Sequence, residues 1–189
     1  MKHLCLSIPS RTCEACVQAK QATRPFPKEA ENRSTTPGER TLSDVWGPAR
    51  VESIGKSKYY ISFTDDATRT CTALFMKTKG EATSRIKAYV AEIEKKFSRN
   101  PKYLRFDNGK ELVNKEIEKW AAEKGIIIET TAPYSPSQHG AAERFNHTLL
   151  ELSHTMLIEK NLPPFLWPEA VAHAAYIRNR SPTRALTSA

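Results

Sequence analysis

The sequence predicts an α/β domain built on a five-stranded mixed sheet, three antiparallel strands extended by two parallel ones, flanked by helices. Three observations carry this. Short segments rich in aromatic and β-branched residues follow one another closely between residues 41 and 76, and strands so closely spaced can only meander antiparallel. From residue 80 onward, amphipathic helical stretches alternate with short apolar segments, the strand–helix–strand pattern of a parallel pair. The chain has 189 residues, 39% hydrophobic and 26% charged, which suits one folded domain with a tail and excludes wholesale disorder.

Residues 1–40 differ from the rest. Cys13-Glu14-Ala15-Cys16 is a C-x-x-C pair, and the stretch from Glu29 to Arg40 is polar and carries Pro37-Gly38, the composition of a linker. Thr41–Val45 is the first predicted strand, stopped by Gly47-Pro48. Tyr59–Thr64 and Cys71–Met76 are the second and third, separated by Asp65-Asp66-Ala67-Thr68-Arg69. A helix is expected from about Gly80 to Ser98, because Ile86, Tyr89, Val90, Ile93 and Phe97 recur on one face. Tyr103–Phe106 is a short strand ending at Asp107-Asn108-Gly109. Lys115–Lys124 is helical, with Gly125 at its C-cap. Ile126–Thr130 begins with a continuous apolar run, as expected of a strand buried between helix layers. Pro133 and Pro136 then hold a loop out of helix. A helix through about Lys160 follows, with Phe145, Leu149, Leu152 and Met156 as its core stripe. A last helix spans about Pro164 to Asn179. The division expected is 1–40, 41–184 and a tail at 185–189.

Net charge is +8, which suits a polyanionic partner but does not single one out. No apolar run approaches the ~20 residues of a membrane span. Four cysteines do not make a disulfide scaffold at this length, which points to a reducing compartment. A structural zinc site needs about four ligands, and Cys13 with Cys16 supplies two.

The chemistry lies in carboxylates at element ends. Asp44 lies on the first strand, Asp107 closes the fourth, and Glu143 sits in the first turns of the helix after the Pro-rich loop, with 35 residues between Asp107 and Glu143. Hard divalent cations take oxygen ligands and keep waters, so two or three convergent carboxylates suffice beside a phosphate. Two such ions can activate an attacking oxygen and stabilise a leaving one in phosphodiester chemistry. Asp65-Asp66 also follows a strand, and spacing alone does not choose between it and Asp44.

The flanking residues narrow the choice. Asp44-Val45-Trp46-Gly47-Pro48, Tyr60-Ile61-Ser62-Phe63-Thr64-Asp65-Asp66 and Arg105-Phe106-Asp107-Asn108-Gly109-Lys110-Glu111 resemble the integrase core of Ty1/copia-type retrotransposons. So do the run from Tyr134 to Asn146, Phe165-Leu166-Trp167-Pro168-Glu169-Ala170 and Asn179-Arg180-Ser181-Pro182. The resemblance covers about residues 13–184. It implies an RNase H-like fold and a metal-binding catalytic triad of Asp44, Asp107 and Glu143, leaving Asp65-Asp66 structural or peripheral. The implied activity is divalent-metal-dependent processing of DNA 3′ ends followed by strand transfer, with two Mg²⁺ or Mn²⁺ ions. The implied partners are element and target DNA and further copies of the chain, with no membrane, and the implied location is the nucleus. Lys110, Gln138, His139, Arg144 and His147 are the expected nucleic-acid contacts. His139 stands where the family usually has Asn, and Phe106 where a small polar residue is usual.

By the same resemblance, Cys13 and Cys16 are the cysteine half of a His-His-Cys-Cys module whose histidines lie upstream of this sequence. Zinc is expected only if those ligands are supplied, and the chain is expected to be a piece of a longer polyprotein. Two other functions stay open at this stage: an inactive DNA-binding or assembly module of a decayed element, and an RNase H-like nuclease.

Overall fold

A computed structural model describes residues 33–106, 112–130 and 140–182, apart from the side chains of 140–143. The chain divides between Glu31 and Asn32, and everything described lies in the second unit.

Five strands form one sheet in the order β3-β2-β1-β4-β5. They are β1 (Arg40–Trp46), β2 (Tyr59–Asp65), β3 (Cys71–Met76), β4 (Tyr103–Phe106) and β5 (Ile127–Thr130). β2 runs antiparallel to both β1 and β3, while β4 runs parallel to both β1 and β5. The expected mixed sheet is therefore present. Four α-helices are found among the described residues: α1 (Ala82–Phe97), α2 (Lys115–Glu123), α3 (Gly140–Glu159) and α4 (Trp167–Arg178). Short 3₁₀ turns, Lys79–Glu81 and Pro164–Leu166, lead into α1 and α4, so both helices start later than periodicity implies.

Alternation along each strand gives the sheet two faces. On one, Ile61, Phe63, Met76, Leu104 and Phe106 pack against Ile86, Tyr89, Val90 and Ile93 of α1 and Ile117 and Ala121 of α2. The α1 stripe is the expected one. Phe63 stacks on Tyr89 at 4.2 Å between centroids, and the Tyr89 hydroxyl lies 3.2 Å from Thr41 Oγ1. α2 is capped as its ends predict: Asn114 Oδ1 accepts from the Ile117 amide at 2.9 Å, and Gly125 takes φ 71°.

On the other face, α3 packs along β1 and α4 along β3. Tyr60 with Leu157, Trp167, Ala170 and Val171 forms one cluster, and Cys71 with Phe145, Leu149, Ala174 and Ala175 another.

Two expectations need correction. β5 is an edge strand, and among the described residues helices pack on one of its faces only. Ile126 is buried and Ile128 packs into the core, but Ile127 is 50% exposed. Its apolar run therefore does not mean burial on both sides. On α3, Leu152 is exposed and Ser153 is buried in its place. At about 100° per residue, the buried arc runs from Phe145 through Leu149 and Ser153 to Leu157, and Leu152 falls just outside it.

Candidate active site

Asp44 lies near the C-terminal end of β1, the central strand, on the face that α3 covers. The pleat puts Leu42, Asp44 and Trp46 on this side and Thr41, Ser43 and Val45 on the other. Antiparallel register sets Asp44 opposite Ser62, whose hydroxyl donates to the Asp44 carbonyl at 3.3 Å. Asp44 is neither buried nor fully exposed. Its Oδ2 accepts a 2.6 Å hydrogen bond from Nδ2 of Asn146 on α3.

Asn146 is 5% exposed, and its Oδ1 in turn accepts from the Tyr60 hydroxyl at 3.4 Å. Tyr60 is completely buried. Burial above all, and then the nearby Cys71 and Asp44, push its hydroxyl far above the usual tyrosine range, so it remains a neutral donor. The ring is walled by aromatics: Trp46 stacks on it at 5.4 Å, and Phe75 and Trp167 each lie at 6.3 Å. Trp167 also packs 5.4 Å from Trp46 and donates from Nε1 to the Val51 carbonyl at 3.1 Å. It thereby ties the loop after β1 to α4.

β1 and β4 pair in parallel up to Ser43 opposite Phe106. The next residues in the two strands' sequences are Asp44 and Asp107, and Asp107 lies outside the described residues. Glu143 is on α3, three positions before Asn146, a spacing that makes two residues neighbours on a helix surface. Its side chain lies outside the description. Arg144 and His147 are exposed on α3, with His147 Nδ1 3.3 Å from Glu151 Oε2. Cys13, Cys16, Lys110, Gln138 and His139 also lie outside the described residues. Among those described, no three His, Cys, Asp or Glu side chains gather, and of the three predicted carboxylates only that of Asp44 is included. A part-exposed carboxylate at a strand end is a hard oxygen donor of the kind Mg²⁺ or Mn²⁺ takes.

The competing pair, Asp65-Asp66, is occupied structurally. Asp65 is 6% exposed and accepts from the Gly38 amide at 2.7 Å, the Thr68 amide at 2.8 Å and the Thr68 hydroxyl at 2.6 Å. Asp66 accepts from the Ser34 amide at 2.9 Å and from Arg69 Nη1 at 2.9 Å. These bonds close the β2–β3 turn onto the segment that leads into β1.

Beyond α3, the same sheet face carries charge over β4 and β5. Glu129 lies between Arg40 at 3.2 Å and Arg105 at 2.9 Å, and Arg40 sits over the Tyr103 ring at 4.8 Å.

The integrase core domain model matches residues 34–136, more than half of the chain and the whole of the sheet. The chain belongs to the integrase core family. It is 37% identical over 173 residues to the retrovirus-related Pol polyprotein from transposon TNT 1-94 of Nicotiana tabacum, covering 92% of this chain and 13% of that protein. The corresponding polyproteins of transposons RE2 and RE1 of Arabidopsis thaliana are each 30% identical over 172 residues, which are 91% of this chain and 12% of theirs. The integrase core thus spans about an eighth of the length of these relatives, which are copia-type retrotransposon polyproteins.

Solved structures agree in fold. A chain of the simian T-cell lymphotropic virus intasome in complex with PP2A regulatory subunit B56 gamma aligns with TM-score 0.67 at 21% identity, over 87% of this chain and 56% of that one. The trimeric HTLV-2 integrase catalytic core, solved with magnesium, aligns with TM-score 0.59 at 18% identity, over 82% and 94% respectively. The RNase H-like fold expected from the sequence is thus confirmed.

Two residues beside Asp44 have no role in the sequence pattern. Asn146 and Tyr60 both stand in the motifs that carry the family resemblance, but neither had a role there. A polar residue beside Phe145 at the start of a core stripe, three positions after Glu143, was the available signal for Asn146. For Tyr60 there was none, since an aromatic in a strand is ordinarily core.

Proposed function

We propose that this chain is the catalytic core of a retrotransposon integrase, carrying out metal-dependent DNA 3′-end processing and strand transfer with Asp44, Asp107 and Glu143 as the catalytic carboxylates. The observation that carries the reading is the Asn146–Asp44 bond. It joins the central strand's carboxylate to the helix that bears Glu143, while β4 pairs beside β1 up to the residue before Asp107. β1, β4 and α3, from separate parts of the sequence, thus come together near the C-terminal end of β1.

Divalent ions held by these carboxylates would lower the barrier at the attacking and leaving oxygens of an in-line phosphodiester displacement. The chain's own task is positional. β1 fixes Asp44 and Asn146 orients its carboxylate. Arg105, part-exposed on the same sheet face beside Glu129, is a proposed contact to a DNA backbone. The exposed Arg144 and His147 extend that surface along α3. Lys110, Gln138 and His139 are further proposed contacts. DNA ends, target DNA and further copies of the chain are the proposed partners, acting in the nucleus.

The test is strand transfer with Mg²⁺ or Mn²⁺ on Asp44→Asn, Asp107→Asn and Glu143→Gln variants. Each should abolish joining while leaving the thermal unfolding temperature in place. Retained joining in any of the three would remove that residue from the triad. The chain's small share of its relatives' length favours one second reading, a DNA-binding assembly module needing other segments for catalysis. Unchanged DNA binding without any metal-dependent joining by the wild type would select it.

A further inference from the structure

We infer that Tyr60 is a positioning residue for the Asp44 carboxylate, acting through Asn146. This rests on the reading of Asp44 as a metal ligand. The direction of the hydrogen bonds carries the inference. A carboxylate oxygen only accepts, so Asn146 must turn its NH₂ group toward Asp44, where Nδ2 lies 2.6 Å from Oδ2. That leaves Oδ1 on the other side, facing the Tyr60 hydroxyl at 3.4 Å. The hydroxyl is fully buried, and this is the one hydrogen bond recorded for it among the described residues. A flipped amide would set carbonyl against carboxylate and leave the phenol facing an NH₂.

Tyr60 is itself enclosed. It lies in β2, which is paired on both sides by β1 and β3, with Trp46, Phe75 and Trp167 around the ring. The order of constraint therefore runs outward from the core. The aromatic cluster holds the hydroxyl, the hydroxyl holds Oδ1 of the amide, and Nδ2 of the amide holds the Asp44 carboxylate. At 3.4 Å the first bond is long, so it steadies the amide rather than adding much binding energy. Outer partners of metal-ligating carboxylates commonly act this way.

The test is a double-mutant cycle on the 189-residue chain, read by calorimetric titration with Mn²⁺ and by thermal unfolding. Asn146→Leu should weaken Mn²⁺ binding about 10- to 100-fold. Tyr60→Phe should weaken it about 3- to 10-fold, and the Mg²⁺ concentration giving half-maximal strand transfer should rise in parallel. In the Asn146→Leu background, Tyr60→Phe should add no further loss. A purely structural role would give the same loss in both backgrounds, and that result overturns the proposal. Wild-type Mn²⁺ affinity in Tyr60→Phe overturns it as well. If Asn146→Leu does not unfold cooperatively, Asn146→Ala completes the cycle with the same expectations. A wild-type chain that binds no Mn²⁺, matched by Asp44→Asn, overturns the metal-site reading itself and the relay with it. A wild type that binds while Tyr60→Phe is silent overturns the relay alone.

Discussion

Asn179 pairs with Cys71 as if it were a strand. Its Nδ2 donates to the Cys71 carbonyl and its Oδ1 accepts from the Cys71 amide, both at 2.8 Å. Cys71 opens β3, the edge of the sheet, and Asn179 follows the last residue of α4. One side chain thus satisfies both backbone groups at a strand end and anchors the final helix. Asn179→Ala should cost about 1–3 kcal/mol, the sum of two ordinary net hydrogen bonds, measured by urea denaturation. Asn179→Asp keeps the acceptor and removes the donor, so it should lose more than half of that.

Asp65 makes a separate prediction, because its three accepted bonds are internal. Asp65→Ala should lower stability by about 1.5–3 kcal/mol, with strand transfer falling only as the folded fraction falls. Asp44→Asn should do the reverse, losing joining with no loss of stability. Parallel denaturation and joining assays on the two variants distinguish an acid that builds a turn from one that serves the reaction.

The same contrast shows what the sequence carried. Strand order and helix faces were legible because periodicity reports burial directly, as in Ile86, Tyr89, Val90 and Ile93. Carboxylates at strand ends were legible because turns expose them. Asp65 and Asp44 were not separable by position, since both end strands. They differ in who donates to them, Gly38 and Thr68 in one case and Asn146 in the other, and such partners, 27 and 102 positions away for Gly38 and Asn146, leave no trace in local pattern. Ile127 and Leu152 were misplaced for a related reason. An apolar residue marks a surface that can be buried, and only the placement of α3 and α4 decides whether it is.

Trp167 should be the costliest aromatic to truncate on its side of the sheet. It touches Trp46, Tyr60 and Phe75 and holds the Val51 carbonyl. Trp167→Ala should destabilise by about 3–5 kcal/mol, read from denaturation curves. Trp167→Phe keeps part of the ring packing and loses the 3.1 Å bond, so it should fall between the two.

Alkaline pH should unfold the domain in a defined sequence. Burial pushes the Cys71 thiol from 9.0 up to about 12, against smaller opposing effects of Thr64 and Arg178. The folded state therefore keeps a proton that the unfolded chain releases near pH 9. A folded pKa above the unfolded one gives stability that is complete below pH 9 and lost as pH rises toward 12. Tyr60 and Tyr89 are shifted upward from 10.0, each chiefly by burial, and add the same sign of effect above pH 10. Between pH 9 and 10 the decline belongs mainly to Cys71, with a slope of at most ~1.4 kcal/mol per pH unit. Cys71→Ala should flatten that interval in urea titrations while lowering stability at neutral pH.

The pairing of Ser43 with Phe106 governs where this chain can change length. Strand side chains alternate, so one added residue in β1 between Arg40 and Asp44 would rotate the carboxylate into the α1 core and bring its neighbour to the surface. The tip at Ile54-Gly55 is under no such parity. Ile54 is 67% exposed, and the loop is closed behind it by the Ala49–Lys58 bond at 2.7 Å. Insertions there extend a surface loop at small entropic cost, whereas a single-residue insertion in β1 abolishes the site without removing one of its residues.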